Sequence, residues 1–413
     1  MKAVLCADIG TSSLKAAVIS FSGIVLGRSR QAFLRYYTET SAKEWFFSLK
    51  CAILDIQAQL EAKSQKLELC ALCISGNGPT ICAPTGETLL WNHSAPQNSY
   101  QGDSLFIPRI LSFKDKFKEV WKKSDIIFSG PEFLIWQLTG NALSILPEKR
   151  YTNAYWSLDS LKSSGLSDEE AKKLPDFVSP ASKAGNLTEN AAKDLALLSG
   201  LPVFCGAPDF ISALVGTNTL SVGSLCDRAG SSEGLNLCTK EPLNAEGIRT
   251  LPSVIPDLWN ASVLLPASGT QFEAFRKKIE RECGREISFK ELVDSCVTSD
   301  GSKASLDQGK YLMLQTALQV RDGIFLLKKN INAQREAGFV PDSMMITGGQ
   351  AQNSSWNQMK STITGLKIKV PECSDAELIG DAVFALLGLG VFDSIKKGAD
   401  SLCRISEIFE PQE

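Results

Sequence analysis

Apolar and polar positions follow two different periods along this chain. Near the N-terminus an apolar run at residues 3–7 stops at Asp8. A polar turn follows, Gly10-Thr11-Ser12-Ser13, and then a second apolar run at residues 14–19. Two extended runs joined by a short Gly/Ser/Thr turn predict a β-hairpin. The period then changes. Between residues 42 and 61, Trp45, Leu49, Ala52, Ile53, Ile56 and Leu60 recur at helical spacing and predict a helix packed on the first sheet. A buried strand is predicted at 67–75, a sharp turn at Gly76-Asn77-Gly78-Pro79, and short strands at 80–83 and 89–92. Helices are predicted at 114–124, at 130–139 and at 190–199. Another, at 167–174, opens on a Ser-x-x-Glu capping box.

The opening pattern returns half a chain later. An apolar run at 225–229 reaches the small-residue turn Gly230-Ser231-Ser232-Glu233-Gly234, and a further apolar run follows at 235–238. Helices are predicted at 269–282, 311–336, 355–364 and 375–390, with strands at 202–205, 344–346 and 367–370. Two similar hairpins half a chain apart predict a duplicated domain with a nucleotide held between the copies. The boundary falls in the Gly/Ser/Thr-rich stretch 217–222, which gives domains at 1–218 and 219–413.

Composition narrows the classes. A chain of 413 residues, 44% hydrophobic and 22% charged, is ordinary for two soluble domains. A net charge of −3 leaves no basic footprint, so nucleic acid is a poor partner. No apolar run is long enough to span a membrane, and the N-terminal residues lack the pattern of a signal peptide. Twelve cysteines are scattered, mostly in apolar runs, and read as buried free thiols of a reducing, cytoplasmic setting. Cys70 and Cys73 form a C-x-x-C, but no second pair follows and the two point to opposite faces of a strand. A single histidine, His93, excludes a histidine-rich metal site.

The first turn offers backbone N–H groups, the hydroxyls of Thr11, Ser12 and Ser13, and the Lys15 ammonium to an anion. Asp8, at the strand end, is placed to hold a hard cation through its waters. Asp209 ends the run Cys205-Gly206-Ala207-Pro208 and puts a carboxylate in a small-residue loop. Its plain reading is the cap of a helix at 210–215, which leaves the carboxylate open to a second use. Gly348, Gly349 and Asn353 lie in a glycine turn after a strand, where backbone can approach a ligand closely; a plain strand-to-helix turn with an Asn cap is the other reading.

At these three motifs, in this order, the chain resembles the FGGY carbohydrate kinases of the actin/hexokinase ATPase superfamily, as a shortened, divergent xylulokinase-like member. The resemblance covers nearly the whole chain. It implies an α/β fold of two ribonuclease-H-like (actin-like ATPase) lobes with a cleft between them. It implies ATP and Mg²⁺ as cofactors and a small sugar as substrate, and it leaves a homodimer open as an assembly. By the same resemblance Asp209 is the catalytic base and Asp8 the metal-site aspartate. Thr11, Ser12 and Ser13 form the first phosphate loop, and Gly230 and Ser231 the second. Gly348, Gly349 and Asn353 form the adenosine site.

The sugar side departs from the family pattern. Family members carry a tryptophan followed by an acid and a base; this chain has Trp91 and Asn92, but His93 and Ala95 stand at the charged positions. A loop that precedes the long helix in the family is missing. Asn77, Trp91 and Asn92 are the expected sugar contacts: Trp91 offers a face to sugar C–H groups, and the two amides offer donors and acceptors. As an alternative, Trp91 is a strand-end core aromatic. The sequence therefore predicts ATP-dependent phosphorylation of a ketose or polyol hydroxyl. Two rivals are a catalytically impaired nucleotide-binding regulator of the same fold and an actin- or chaperone-like ATPase.

Overall fold

The computed structural model describes residues 1–34, 38–94, 100–230, 233–265, 268–301, 303–333 and 341–412. Two compact units share the chain: Met1–Gly216 with Glu377–Leu402, and Thr217–Ala376 with Cys403–Glu413.

In the first unit, strands β1 (Lys2–Ile9), β2 (Ser13–Ser20) and β3 (Val25–Ala32) form an antiparallel meander. β4 (Glu68–Gly76) pairs parallel to β1, and β6 (Pro202–Pro208) parallel to β4. β5 (Lys183–Asn186) closes the edge antiparallel, so the sheet order is β3-β2-β1-β4-β6-β5. β1 and β4 read as nearly continuous apolar runs because parallel central strands are covered on both faces. Helix α1 (Trp45–Ala62) buries its predicted stripe, Trp45, Leu49, Ala52, Ile53, Ile56 and Leu60, in one core with Leu5, Leu14, Leu26 and Ile74.

The second unit repeats the plan. β7 (Leu225–Ala229) and β8 (Glu233–Thr239) form the hairpin, extended antiparallel by β10 (Trp259–Leu265) and then β9 (Arg249–Pro252). β11 (Ser343–Thr347) pairs parallel to β7 and β12 (Lys367–Pro371) parallel to β11; β13 (Ile405–Phe409) ends the sheet antiparallel. The order β9-β10-β8-β7-β11-β12-β13 matches the first sheet: a meander, then two parallel strands, then an antiparallel edge. The duplication expected from the two hairpins is thus a duplication of whole sheets.

The second unit also buries a charge cluster. Lys360, on a helix at Ser354–Thr364, is fully buried and reaches Asp227 Oδ2 on β7 at 2.7 Å and the Glu233 carboxylate on β8. Asp227 Oδ1 and Glu233 Oε2 are buried with no hydrogen-bond partner. Burial pushes the Asp227 carboxyl up to about 7, the Lys360 charge opposing and the Glu233 carboxylate adding. Burial lowers the Lys360 ammonium, but the two carboxylates outweigh it and hold it above its ordinary value.

Several expectations change. The helix predicted at 114–124 is two helices, Ile107–Lys116 and Lys118–Lys123, broken at Phe117 where φ is −113° and ψ 48°. The strand predicted at 89–92 stops at Leu89. Arg109 there gathers the carbonyls of Leu90 (2.7 Å), His93 (3.2 Å) and Trp91, which turns the chain out of the extended form. Of the C-x-x-C pair, Cys73 is buried but Cys70 only half-buried; among the described residues no cysteine is in a disulfide. The helix predicted at 311–336 spans Ala304–Ala333, and residues 334–336 lie outside the described residues. The unit boundary lies at 216/217, and Glu377–Leu402 rejoins the first unit instead of staying with the second.

Candidate active site

β1, β4 and β6 run parallel and end together, where ligands bind in open α/β sheets. Asp8, the next-to-last residue of β1, is in register with Ser75 of β4, and Pro208 of β6 with Gly76. The next residue, Asp209, begins helix α2 (Asp209–Gly216), and its Oδ1 accepts from the Phe210 N–H. Asp209 is thus the first residue of the helix, and not the residue before it that the capping reading of a helix at 210–215 requires.

Helix α3 (Ala376–Gly388) brings two more carboxylates to the first unit. Lys15 Nζ lies 3.9 Å from Asp8 Oδ2 and 3.6 Å from Glu377 Oε2. Asp8 is 2% exposed. Burial raises its carboxyl to about 8; Lys15 opposes this, Glu377 and Asp209 add to it, and the Ser75 hydroxyl opposes it. Asp381, fully buried, accepts from Ser75 Oγ at 2.7 Å and Ser212 Oγ at 3.0 Å. Burial drives the Asp381 carboxyl well above the usual carboxylate range, with the Ser75 bond opposing and the Asp8 charge adding. Glu377 and Asp381 are site neighbours that sequence reasoning missed. Glu377 reads in sequence as an exposed helix position, yet its side chain is 15% exposed and paired to Lys15.

The other expected residues of this unit divide by what they touch. Thr11 Oγ1 accepts the Trp91 indole N–H at 2.9 Å. Ser13 is buried, and its Oγ accepts from Arg30 Nε at 3.0 Å. Ser12 contributes its carbonyl to the Phe33 N–H. The buried amide of Asn77 donates to the Ile9 carbonyl at 3.0 Å and accepts from Thr80 Oγ1 at 2.7 Å, so it braces the turn next to Asp8. Trp91 and Asn92 are exposed on the Arg109-held turn. His93 is half-buried, and its Nδ1 accepts from the Leu90 N–H at 3.3 Å. Ala95 lies outside the described residues.

In the second unit, Gly348 holds φ at 92°, and a Cβ there would sit 2.6 Å from the Ala229 carbonyl and 3.3 Å from the Gly230 nitrogen. The glycine turn thus presses on the end of β7, where the second hairpin turns. Gly349 faces open space. Asn353 is buried with its Oδ1 unpartnered, and both polar atoms of buried Gln350 are unpartnered as well. Buried amides without protein partners are costly, and they fit a site that a nucleotide completes. Gln350 is a third residue missed in sequence. Ser231 lies outside the described residues.

The first unit also meets the charge requirement for Mg²⁺. Asp8 feels the charges of Lys15, Glu377 and Asp209, and a hydrated divalent cation needs only one or two such carboxylates beside phosphates. Among the described residues no group of three or more His, Cys, Asp or Glu forms a closed metal cage.

Comparison with known proteins agrees with this geometry. Residues 312–389 match the model of the FGGY family of carbohydrate kinases, C-terminal domain. The chain is 23% identical to a xylulose kinase of Staphylococcus epidermidis, over 99% of this chain and 92% of that one. It is 20% identical to an autoinducer-2 kinase of Yersinia enterocolitica, over 99% and 90%. In fold it is similar to a ligand-bound xylulose kinase from Lactobacillus acidophilus (TM-score 0.76, 14% identity, 100% and 94% covered). It is also similar to the Plasmodium falciparum glycerol kinase with ADP (TM-score 0.74, 16% identity, 100% and 94% covered). Residues 312–389, which include α3, are an FGGY carbohydrate-kinase C-terminal domain, and over nearly its full length the chain is similar to carbohydrate kinases of that family.

Proposed function

We propose that this carbohydrate kinase transfers the γ-phosphoryl group of ATP to a hydroxyl of a ketose or polyol, with Asp209 as general base. One observation carries the reading: the Asp209 carboxylate begins a helix directly at the parallel strand ends, within electrostatic reach of Asp8. A carboxylate there takes the proton from the acceptor hydroxyl as it attacks the phosphorus. Lys15 and the hydroxyl of Thr11 supply positive charge and a donor for phosphate oxygens, and Gly348, Gly349, Gln350 and Asn353 receive the nucleoside. Mg²⁺, when bound, neutralises phosphate charge, and Asp8 is the residue that would hold it, through water. Trp91 and Asn92 present an aromatic face and an amide to the acceptor.

The test mixes the protein with ATP, Mg²⁺ and a panel of pentuloses, hexuloses and polyols. Acceptor-dependent ADP release supports the reading. Acceptor-independent release points to an actin- or chaperone-like ATPase, and nucleotide binding without turnover to an inactive regulator. Asp209→Asn keeps shape but cannot take a proton, and should lower kcat by about 10²–10⁴-fold with little change in ATP affinity. A variant that keeps most of its kcat removes Asp209 from the role.

A further inference from the structure

Asp381 is the least expected carboxylate in the first unit. It lies on the inner face of α3, fully buried, between the ends of β4 and β6 and helix α2. Taking a carboxyl group out of water is costly, and an alanine or leucine at a helix position like this one would avoid that cost. What the carboxyl does instead is connect. Its Oδ1 accepts from Ser212, one helical turn after Asp209. Its Oδ2 meets Ser75 Oγ at 2.7 Å, and the same hydroxyl lies 3.2 Å from Asp8 Oδ1. There is no slack around it. A Cβ on Gly206 of β6 would come within 2.9 Å of Asp381 Oδ1. The neighbouring Gly380 lies so close to α2 that a Cβ there would overlap the Ser212 carbonyl.

We propose that Asp381 is a positioning residue for phosphoryl transfer: through Ser212 it fixes the helix that begins at Asp209, and through Ser75 it fixes Asp8. This rests on the reading of Asp209 as the base. Both serine contacts are short enough to set direction as well as distance. Ser212 lies three residues after Asp209, so a roll of α2 that breaks its bond to Asp381 also swings Asp209. Hydrogen counting makes the arrangement specific. One Ser75 hydroxyl carries one hydrogen but faces two carboxyl groups, at 2.7 Å on Asp381 and 3.2 Å on Asp8, so a further donor lets both contacts be hydrogen bonds. An asparagine at 381 supplies it without titration: Nδ2 donates to Ser75, the Ser75 hydroxyl donates to Asp8, and Oδ1 accepts from Ser212.

The test compares wild type with Asp381→Ala, Asp381→Asn and Ser212→Ala, using the panel above and melting curves. Asp381→Ala should lower kcat by about 10–100-fold, since displacement of a reacting group by about 1 Å has effects of that size. The KM for ATP should stay within about threefold, because the nucleoside residues lie elsewhere in the chain. Asp381→Asn should restore kcat to within about threefold of wild type, and Ser212→Ala should fall between. A crystal structure of Asp381→Ala should show the Asp209 carboxylate displaced relative to Asp8. A folded Asp381→Ala with wild-type kcat overturns the proposal, and so does an Asp381→Asn as impaired as the alanine variant. If Asp381→Ala fails to fold, Ser212→Ala decides: an unchanged kcat rejects the inference. Wild type that shows no acceptor-dependent turnover rejects the kinase reading itself, a result distinct from an active wild type with indifferent variants.

Discussion

The indole N–H of Trp91 donates to the hydroxyl of Thr11 at 2.9 Å, tying the exposed turn after Leu90 to the turn of the first hairpin. Arg109 sets the other side of that turn by collecting three of its carbonyls. The tryptophan therefore has two possible uses, an aromatic face for the acceptor and a hydrogen bond to the phosphate side. Two substitutions separate them. Trp91→Phe keeps the face and loses the donor. A typical net hydrogen bond of about 0.5–1.5 kcal/mol corresponds to about a 2–10-fold rise in the KM for ATP, with a small effect on the acceptor. Trp91→Ala removes both and should raise the acceptor KM as well. Steady-state kinetics with each substrate varied in turn checks this; equal KM values for ATP in wild type and Trp91→Phe would show that the bond to Thr11 is idle.

The two glycines of the turn proposed to receive the nucleoside should respond differently. Gly348 has a φ of 92° and backbone oxygen 2.6 Å from where a Cβ would go, so Gly348→Ala adds both strain and a backbone collision. It should lower the melting temperature and displace the end of β7. Gly349 meets nothing within 4 Å. Gly349→Val should leave melting nearly unchanged and, if this turn receives the nucleoside as proposed, raise only the KM for ATP. Melting curves beside ATP titrations decide it. Loss of folding in the Gly349 variant would contradict the open space seen here.

Gly380 poses a contest between two effects of known size. Alanine is favoured over glycine inside a helix by about 1 kcal/mol. Here the added methyl would overlap the Ser212 carbonyl, and a backbone atom cannot rotate away. Overpacking of this kind costs about 1–3 kcal/mol, so Gly380→Ala should destabilise the first unit and push α3 away from α2. Chemical denaturation measures it, and a variant more stable than wild type would mean the two helices separate freely.

Much of this arrangement can be read in the sequence, and the limits of that reading have physical causes. Both hairpins announce themselves because continuous apolar runs flank a Gly/Ser turn, and α1 because its stripe is regular. Asp209 and Asp8 are readable because a carboxylate at the end of a β-run is unusual. Glu377 and Asp381 are not, because they reach the first sheet from far along the chain, on a helix whose acidic residues look solvated in one dimension. The extra hydrogen bond of Trp91 and the turn made by Arg109 depend on partners far from them in sequence. Lys360, in the middle of a polar-looking helix, gives no sign that it is buried.

Lys360 yields the last prediction. Removing the cation from a buried ion cluster leaves uncompensated charge, at a cost of about 3–5 kcal/mol. Lys360→Met keeps most of the side chain's volume and should show that loss in denaturant unfolding of the second unit. The loss should depend on pH. The Asp227 carboxyl is raised in the folded state to about 7, from an ordinary value of 3.8. A raised carboxyl stabilises the fold fully only below its unfolded value, and that contribution disappears as pH rises through the folded value. In wild type it therefore fades between roughly pH 4 and pH 7, and the Lys360 charge compensates the carboxylates that form. In Lys360→Met nothing does. At pH 5 Asp227 can stay neutral and the substitution costs least; at pH 8 burial opposes ionisation of Asp227 with no cation beside it, and the substitution costs most. Unfolding of both proteins at pH 5 and pH 8 gives the comparison, and a loss that is the same at both values, or larger at pH 5, would show that Lys360 does not compensate these carboxylates.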